Sequence, residues 1–162
     1  MAQFSFDVVS EIDSHELANA LDQARKEIIQ RFDFKNTGTE VKHEGETIEI
    51  RANSEGRVQA ALEVLKEKLV RRDVSLKSLQ EGKIEPAASG TYKQTITLVY
   101  GISDEKARTI NKFIKTTGTK VQSQIQGNQL RITSKVKDDL QTVMKAIKEE
   151  DFGVPLQFTN YR

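Results

Sequence analysis

Residues of the same type recur along this chain at a nearly fixed distance. Lys35, Thr37, Gly38, Thr39 and Val41 return as Lys115, Thr117, Gly118, Thr119 and Val121, each 80 positions later. Gly45, Ile48 and Ile50 match Gly127, Leu130 and Ile132 at a spacing of 82, as if the second hairpin were longer. Val58, Leu62 and Leu65 match Val136, Leu140 and Val143 at 78. Self-similarity on this scale marks one unit of roughly 80 residues used twice, so both halves must solve the same packing problem.

Within each half the hydrophobic period changes in the same order. Phe4, Phe6 and Val8 alternate over residues 3–10 and predict a strand. Asp13 with Glu16 then resembles a helix start, and Leu17, Leu21, Ala24, Ile28 and Phe32 form a helical stripe. Thr39 and Val41, a turn at Glu44 and Gly45, then Ile48 and Ile50 predict a hairpin. A second helix follows from a cap at Asn53 or Ser54, with Val58, Ala61, Leu62, Leu65 and Leu69 on its inner face. Val74 and Leu76 begin a short strand, and the Gly, Pro, Ala and Ser of residues 81–90 read as a linker.

The second half repeats this plan. Tyr92, Gln94, Ile96 and Leu98 share one strand face, Ser103 caps a helix with stripe Ala107, Ile110, Phe113 and Ile114, and Gly118 supplies a left-handed helix end. A hairpin, a helix to about Glu150 and a last strand in 154–162 complete it. The order strand, helix, strand, strand, helix, strand is that of a ferredoxin-like split βαβ sandwich. The expected fold class is α+β, with two tandem ferredoxin-like (βαββαβ) domains, 1–85 and 86–162.

Two helices cover one face of a four-stranded sheet, so the other stays open. In the first half the predicted open face carries Asp7, Thr47, Glu49 and Arg51, which is too acidic for phosphate. In the second half it carries Lys93, Thr95 and Thr97 with the outward residues of the hairpin. Gly127 and Asn128 form its two-residue turn, which sets Gln126 opposite Gln129, Gln124 opposite Arg131 and Gln122 opposite Thr133. Amides can read base edges, and cations can meet phosphate. The candidate nucleotide-binding residues are therefore Lys120, Gln122, Gln124, Arg131, Thr133, Lys135 and Lys137. A solvated sheet face also needs polar groups, and Gln serves that purpose equally. On the binding reading, Arg131→Ala weakens nucleotide binding and leaves the melting temperature nearly unchanged.

A secondary candidate is Arg31, Phe32 and Lys35, since an exposed Phe beside cations can stack a base. Against it, Phe32 continues the core stripe and Phe34 matches Ile114 in the repeat.

Composition removes many alternatives. The chain has no cysteine, which excludes disulfides, thiolate catalysis and Cys-based metal sites. A net charge of +1 gives no global field for a polyanion, so any such contact must be local. No apolar run is long enough to span a bilayer and the first residues lack a signal-peptide pattern, so the expected location is the cytoplasm. There is no P-loop or dinucleotide spacing, and His15 and His43 stand apart from any ligand spacing. Asp138 and Asp139 point about 100° apart on a helix and suit its N-terminal dipole better than acid–base work. No catalytic residue, metal site or cofactor is expected.

The stretches FSFDVVSEID, RFDFKN, KVQSQIQGNQLRITSK, KDDLQTVM and PLQFTNYR, in this order over essentially the whole chain, resemble the YajQ family of small bacterial proteins. The resemblance implies a pair of ferredoxin-like domains in which the first strands are open to exchange. Residues 3–10 would then join the sheet of the second half, and 91–100 that of the first. It also implies a non-enzymatic nucleotide-binding protein, with some members linked to cyclic di-GMP or RNA. The leading expectation is a cyclic-dinucleotide sensor; the alternative is an RNA-associated or chaperone-like binding module that meets RNA or a protein partner. Lys137 stands where similar proteins are expected to carry Arg, and Lys cannot make the same two-pronged phosphate contact.

Overall fold

Asp13, Ser54 and Ser103 each stop a stretch of extended chain and accept hydrogen bonds from the first amides of a helix: Asp13 from His15 and Glu16, Ser54 from Arg57, Ser103 from Lys106. These bonds satisfy donors that the helix cannot, and so fix where each helix starts. The fourth helix begins at Lys137, and the residue in its cap position, Val136, makes no side-chain cap bond. In the computed structural model, which describes residues 3–162, the elements are β1 (Phe4–Val9), α1 (Ser14–Gln30), β2 (Glu40–Glu44), β3 (Thr47–Ala52), α2 (Glu55–Arg71), β4 (Leu79–Glu81), β5 (Glu85–Ala87), β6 (Thr91–Leu98), α3 (Asp104–Lys115), β7 (Gln122–Gln126), β8 (Gln129–Ser134), α4 (Lys137–Glu149) and β9 (Gln157–Thr159).

The chain divides into a central unit, Ile12–Val99, and a terminal unit made of the residues up to Glu11 with Tyr100–Arg162. In the terminal unit the strand order is β7-β8-β1-β9, and β1 runs antiparallel to both β8 and β9. In the central unit the order is β2-β3-β6-β4, with β5 also paired to β6. Each unit is a ferredoxin-like sheet whose first strand comes from the other half of the sequence. Phe6 and Val8 pack with Ile110, Ile132 and Ile147, whereas Ile96 packs with Leu21, Ile48 and Leu65.

The repeat is visible in bonds as well as in letters. Gly38 and Gly118 both have positive φ, 64° and 71°. Thr37 donates through its hydroxyl to the Phe34 carbonyl and shares a bond with Thr39; Thr117 does the same with Ile114 and Thr119.

Four expectations need correction. The two hairpins have strands of equal length, and the two additional residues of the second copy are Lys120 and Val121, which lie ahead of β7, so that Val41 corresponds to Ser123 rather than to Val121. The spacing of 82 also continues through the following helix: the caps Ser54 and Val136 correspond, and Val58, Ala61, Leu62 and Leu65 match the buried Leu140, Val143, Met144 and Ile147. A shift of four residues returns to the same helix face, so periodicity alone could not distinguish 78 from 82. Leu76 lies in a 3-10 turn rather than a strand. Residues 81–90 are built into the central sheet rather than forming a free linker, with Pro86 opposite Tyr92 and the Gly82 amide donating to the Thr95 carbonyl at 2.9 Å. A Cβ at Gly82 would meet that carbonyl oxygen at 2.7 Å, which explains why the residue is glycine.

Candidate functional site

The β7–β8 hairpin closes on Gly127, with φ of 62°, the position where a primed two-residue turn favours glycine. Its register is Gln126 opposite Gln129, Gln124 opposite Arg131 and Gln122 opposite Thr133, as the alternation predicts. Leu130 and Ile132 are fully buried beneath the helices, so the amides and Arg131 occupy the other face.

Strand pairing changes what surrounds Arg131. Asp7 lies opposite it, only 1 % exposed, and accepts from Arg131 Nε at 2.9 Å and Nη2 at 3.3 Å. Asn160 Nδ2 also donates to Asp7 at 2.8 Å. Asn160 reaches it because the last strand bulges: Thr159 faces Asp7, yet Arg162 exchanges both backbone bonds with Ser5, leaving one extra residue with φ of 55°. The Arg131 guanidinium and the Asn160 amide hold the Asp7 carboxyl below the usual aspartate range against the opposing effect of burial. The guanidinium in turn is raised by its carboxylate partner.

This pairing overturns two expectations. Arg131 is a structural ion-pair partner, so replacing it cannot leave the melting temperature untouched. The division into an acidic and a basic open face also fails, because Asp7 belongs with Arg131, while Lys93, Thr95 and Thr97 lie opposite Arg51, Glu49 and Thr47.

A cleft of about 720 Å³ adjoins the hairpin. Gln122, Gln124, Arg131 and Thr133 enter it from the sheet, and Asn111, Lys115 and Thr119 from α3 and the turn that follows. Those last three were not legible as site residues. Asn111 and Lys115 read as the solvent side of a helix, and only the packing of α3 beside β7 brings them to the amides. Asn111 Oδ1 accepts from the Ser123 hydroxyl, which ties the helix to the strand.

Lys120 and Lys135 line a neighbouring cleft of about 440 Å³ that shares Val121, Gln122 and Thr133 with the first. Lys120 is held in place: its amide donates to Asp139, and its carbonyl accepts from Ser134. Lys137, the first residue of α4, lines neither cleft. Asn111, Thr119, Gln122 and Gln124 can donate and accept, while Lys115, Lys120 and Lys135 offer cations that form no ion pair among the described residues. The arrangement can therefore hold a polar planar group against the strand and an anion beside it.

The Arg31, Phe32 and Lys35 cluster is in the central unit. Arg31 turns extended, with φ of −77° and ψ of 132°, and ends α1 at Gln30. The stripe is broken one residue before Phe32, so Phe32 is 87 % exposed instead of continuing the core, while Phe34 is buried. Arg31 bonds Asp33 at 2.6 Å, pairs with Glu27 at 3.3 Å and lies 5.0 Å from the Phe34 ring centre. Its charge is largely balanced, and Lys35 is exposed nearby. Among the described residues no group of three or more His, Asp or Glu could hold a metal ion. No helix among them is long and apolar enough to cross a membrane.

A family model described as "Nucleotide-binding protein YajQ-like" matches residues 4–162. A protein from Parafrankia sp. named as a nucleotide-binding protein is 56% identical over 164 residues, covering 100% of both chains. One of the same description from Rhodococcus erythropolis is 55% identical over 100% of both, and one from Carboxydothermus hydrogenoformans is 53% identical over 99% of both.

Proposed function

The chain belongs to the YajQ family, and from that premise we propose that it is a nucleotide-binding protein whose ligand occupies the cleft between α3 and the β7–β8 hairpin. The observation that carries this reading is that Gln122, Gln124, Thr133, Thr119 and Lys115 line one cleft of about 720 Å³. That volume lies within the usual range of small-molecule sites, and few precisely placed polar groups suffice to orient a ligand there. The amides would address base edges. Lys115, with Lys120 and Lys135 at the adjoining cleft, would meet phosphate more readily than Arg131, whose charge is already matched by Asp7.

The finer reading is a cytoplasmic sensor of a cyclic dinucleotide that binds without turning its ligand over. A cyclic dinucleotide places two bases and two phosphates close together, which suits two adjoining clefts that share Gln122 and Thr133. Calorimetric titration with cyclic dinucleotides, mononucleotides and short single-stranded RNA at two salt concentrations tests it. We expect one cyclic dinucleotide to bind, with Lys115→Ala raising Kd roughly tenfold, the scale of a lost charge-assisted hydrogen bond. Binding only by RNA, with an affinity that falls steeply with salt, would replace this reading by the RNA-associated one. No binding by any nucleotide would end both.

A further inference from the structure

Strand β7 is the last in its sheet, with β8 on one side only. The two-residue turn makes Gln126 and Gln129 a hydrogen-bonded pair, and the antiparallel alternation then gives the same role to Gln124 with Arg131 and Gln122 with Thr133. The N–H and C=O groups of Ser123 and Ile125 therefore point away from β8. Exposed edges of this kind are normally guarded by charge, proline, a bulge or a covering element. The strand QSQIQ has neither charge nor proline, and Ile125 is 42 % exposed.

The equivalent edge in the central unit shows what guarding looks like. β2 is EVKHE, and antiparallel pairing with itself about Lys42 would set Lys42 against Lys42 and Glu40 against Glu44. Like charges directly opposite each other disfavour such a pair. Arg25 Nε also donates to the Val41 carbonyl at 2.9 Å and occupies one outward acceptor. β7 carries no corresponding cap among the described residues.

We propose that β7 is a pairing edge through which two copies of this chain associate, antiparallel, about a two-fold axis at Gln124. In that register Ser123 and the partner's Ile125 form hydrogen-bonded pairs on both sides of the axis. Gln124 meets the partner's Gln124, and Gln122 meets the partner's Gln126. Each amide both donates and accepts, so an amide row is complementary to itself where a charged row is not. On the other face, pairing covers Ile125. The inference stands on the strand edge alone and does not rest on the nucleotide reading; because the partner would engage the Gln122 and Gln124 amides that line the cleft, the two uses of β7 compete.

Sedimentation of the full chain over a concentration series, without nucleotide, tests it. The mass should approach twice that of one chain as concentration rises. Gln124→Lys and Gln124→Glu should each weaken association at least tenfold when alone, and an equimolar mixture of the two should restore it, since Lys then faces Glu. Ile125→Pro should also give single chains, because its amide points outward and an edge strand tolerates proline there. Thermal melts confirm that the variants fold. A wild-type chain that stays single at every concentration overturns the proposal, as does a dimer indifferent to these substitutions or a mixture that remains single.

Discussion

The two hairpins descend from one pattern, yet equivalent positions do different work. At the middle of β8, Arg131 faces a buried Asp7; at the same place in β3, Glu49 faces Thr95 and pairs with Arg51 on its own strand. In the terminal unit the ion pair joins neighbouring strands, and its acceptor is out of solvent. In the central unit it lies within one strand, both side chains more than a third exposed. The outer strands differ in the same sense, amide-rich and uncapped in β7, charged and capped in β2. Duplication preserved the core and the Thr-Gly-Thr link while the open face and edge diverged, because burial constrains volume and solvent exposure does not.

The strongest way to break this comparison is to ask which unit owns the first strand. Phe6 is 1 % exposed and packs edge-on against Phe158 at 5.5 Å, so Phe6→Ala should cost about 3–5 kcal/mol. Hydrogen exchange should show lost protection at Leu130 and Ile132 while Ile48 and Ile50 keep theirs. Loss at Ile48 and Ile50 instead would refute the assignment of β1 to the terminal sheet.

The ion pairs come next. Arg131→Ala should lower the melting temperature by roughly 5–10 °C, because a buried carboxylate loses its main partner. Arg51→Ala, at an exposed pair, should move it by less than about 2 °C. Equal shifts would erase the distinction between the two faces. Because the folded state holds Asp7 below its ordinary value, ionised Asp7 contributes stability above the unfolded pKa, and that contribution is lost as pH falls through the folded value. Asp7→Asn should accordingly flatten the acid limb of the stability curve, measured by urea titration.

The smallest effect concerns the helix starts. Ser54→Ala should cost about 1 kcal/mol, whereas Val136→Ser, at the uncapped and 45 % exposed equivalent, should stabilise by up to about 1 kcal/mol. Opposite signs in chemical denaturation would sharpen the correspondence of these two caps, and a neutral Val136→Ser would weaken it.

Local order was largely legible. The alternation of Gln122 to Gln126 and the turn at Gly127 gave the hairpin register, and Asp13, Ser103 and the pair Asn53 or Ser54 marked three helix starts, because these depend on neighbours in sequence. Phe32 misled because a helical stripe does not reveal the residue at which the helix stops, and the backbone leaves it at Arg31. Half the candidate site was likewise readable, the half on the hairpin. Asn111 and Lys115 belong to a helix face that periodicity assigns to water.

The sequence by itself determined a unit used twice, its strand and helix order and the polar character of the hairpin's outer face, since periods of two and 3.6 residues follow from backbone geometry. Tertiary structure alone decided which sheet each first strand enters, and with it the pairing of Asp7 with Arg131. An apolar alternating strand fits either copy of a duplicated core, so nothing local distinguishes the two choices. The bonds that do so join residues more than a hundred positions apart.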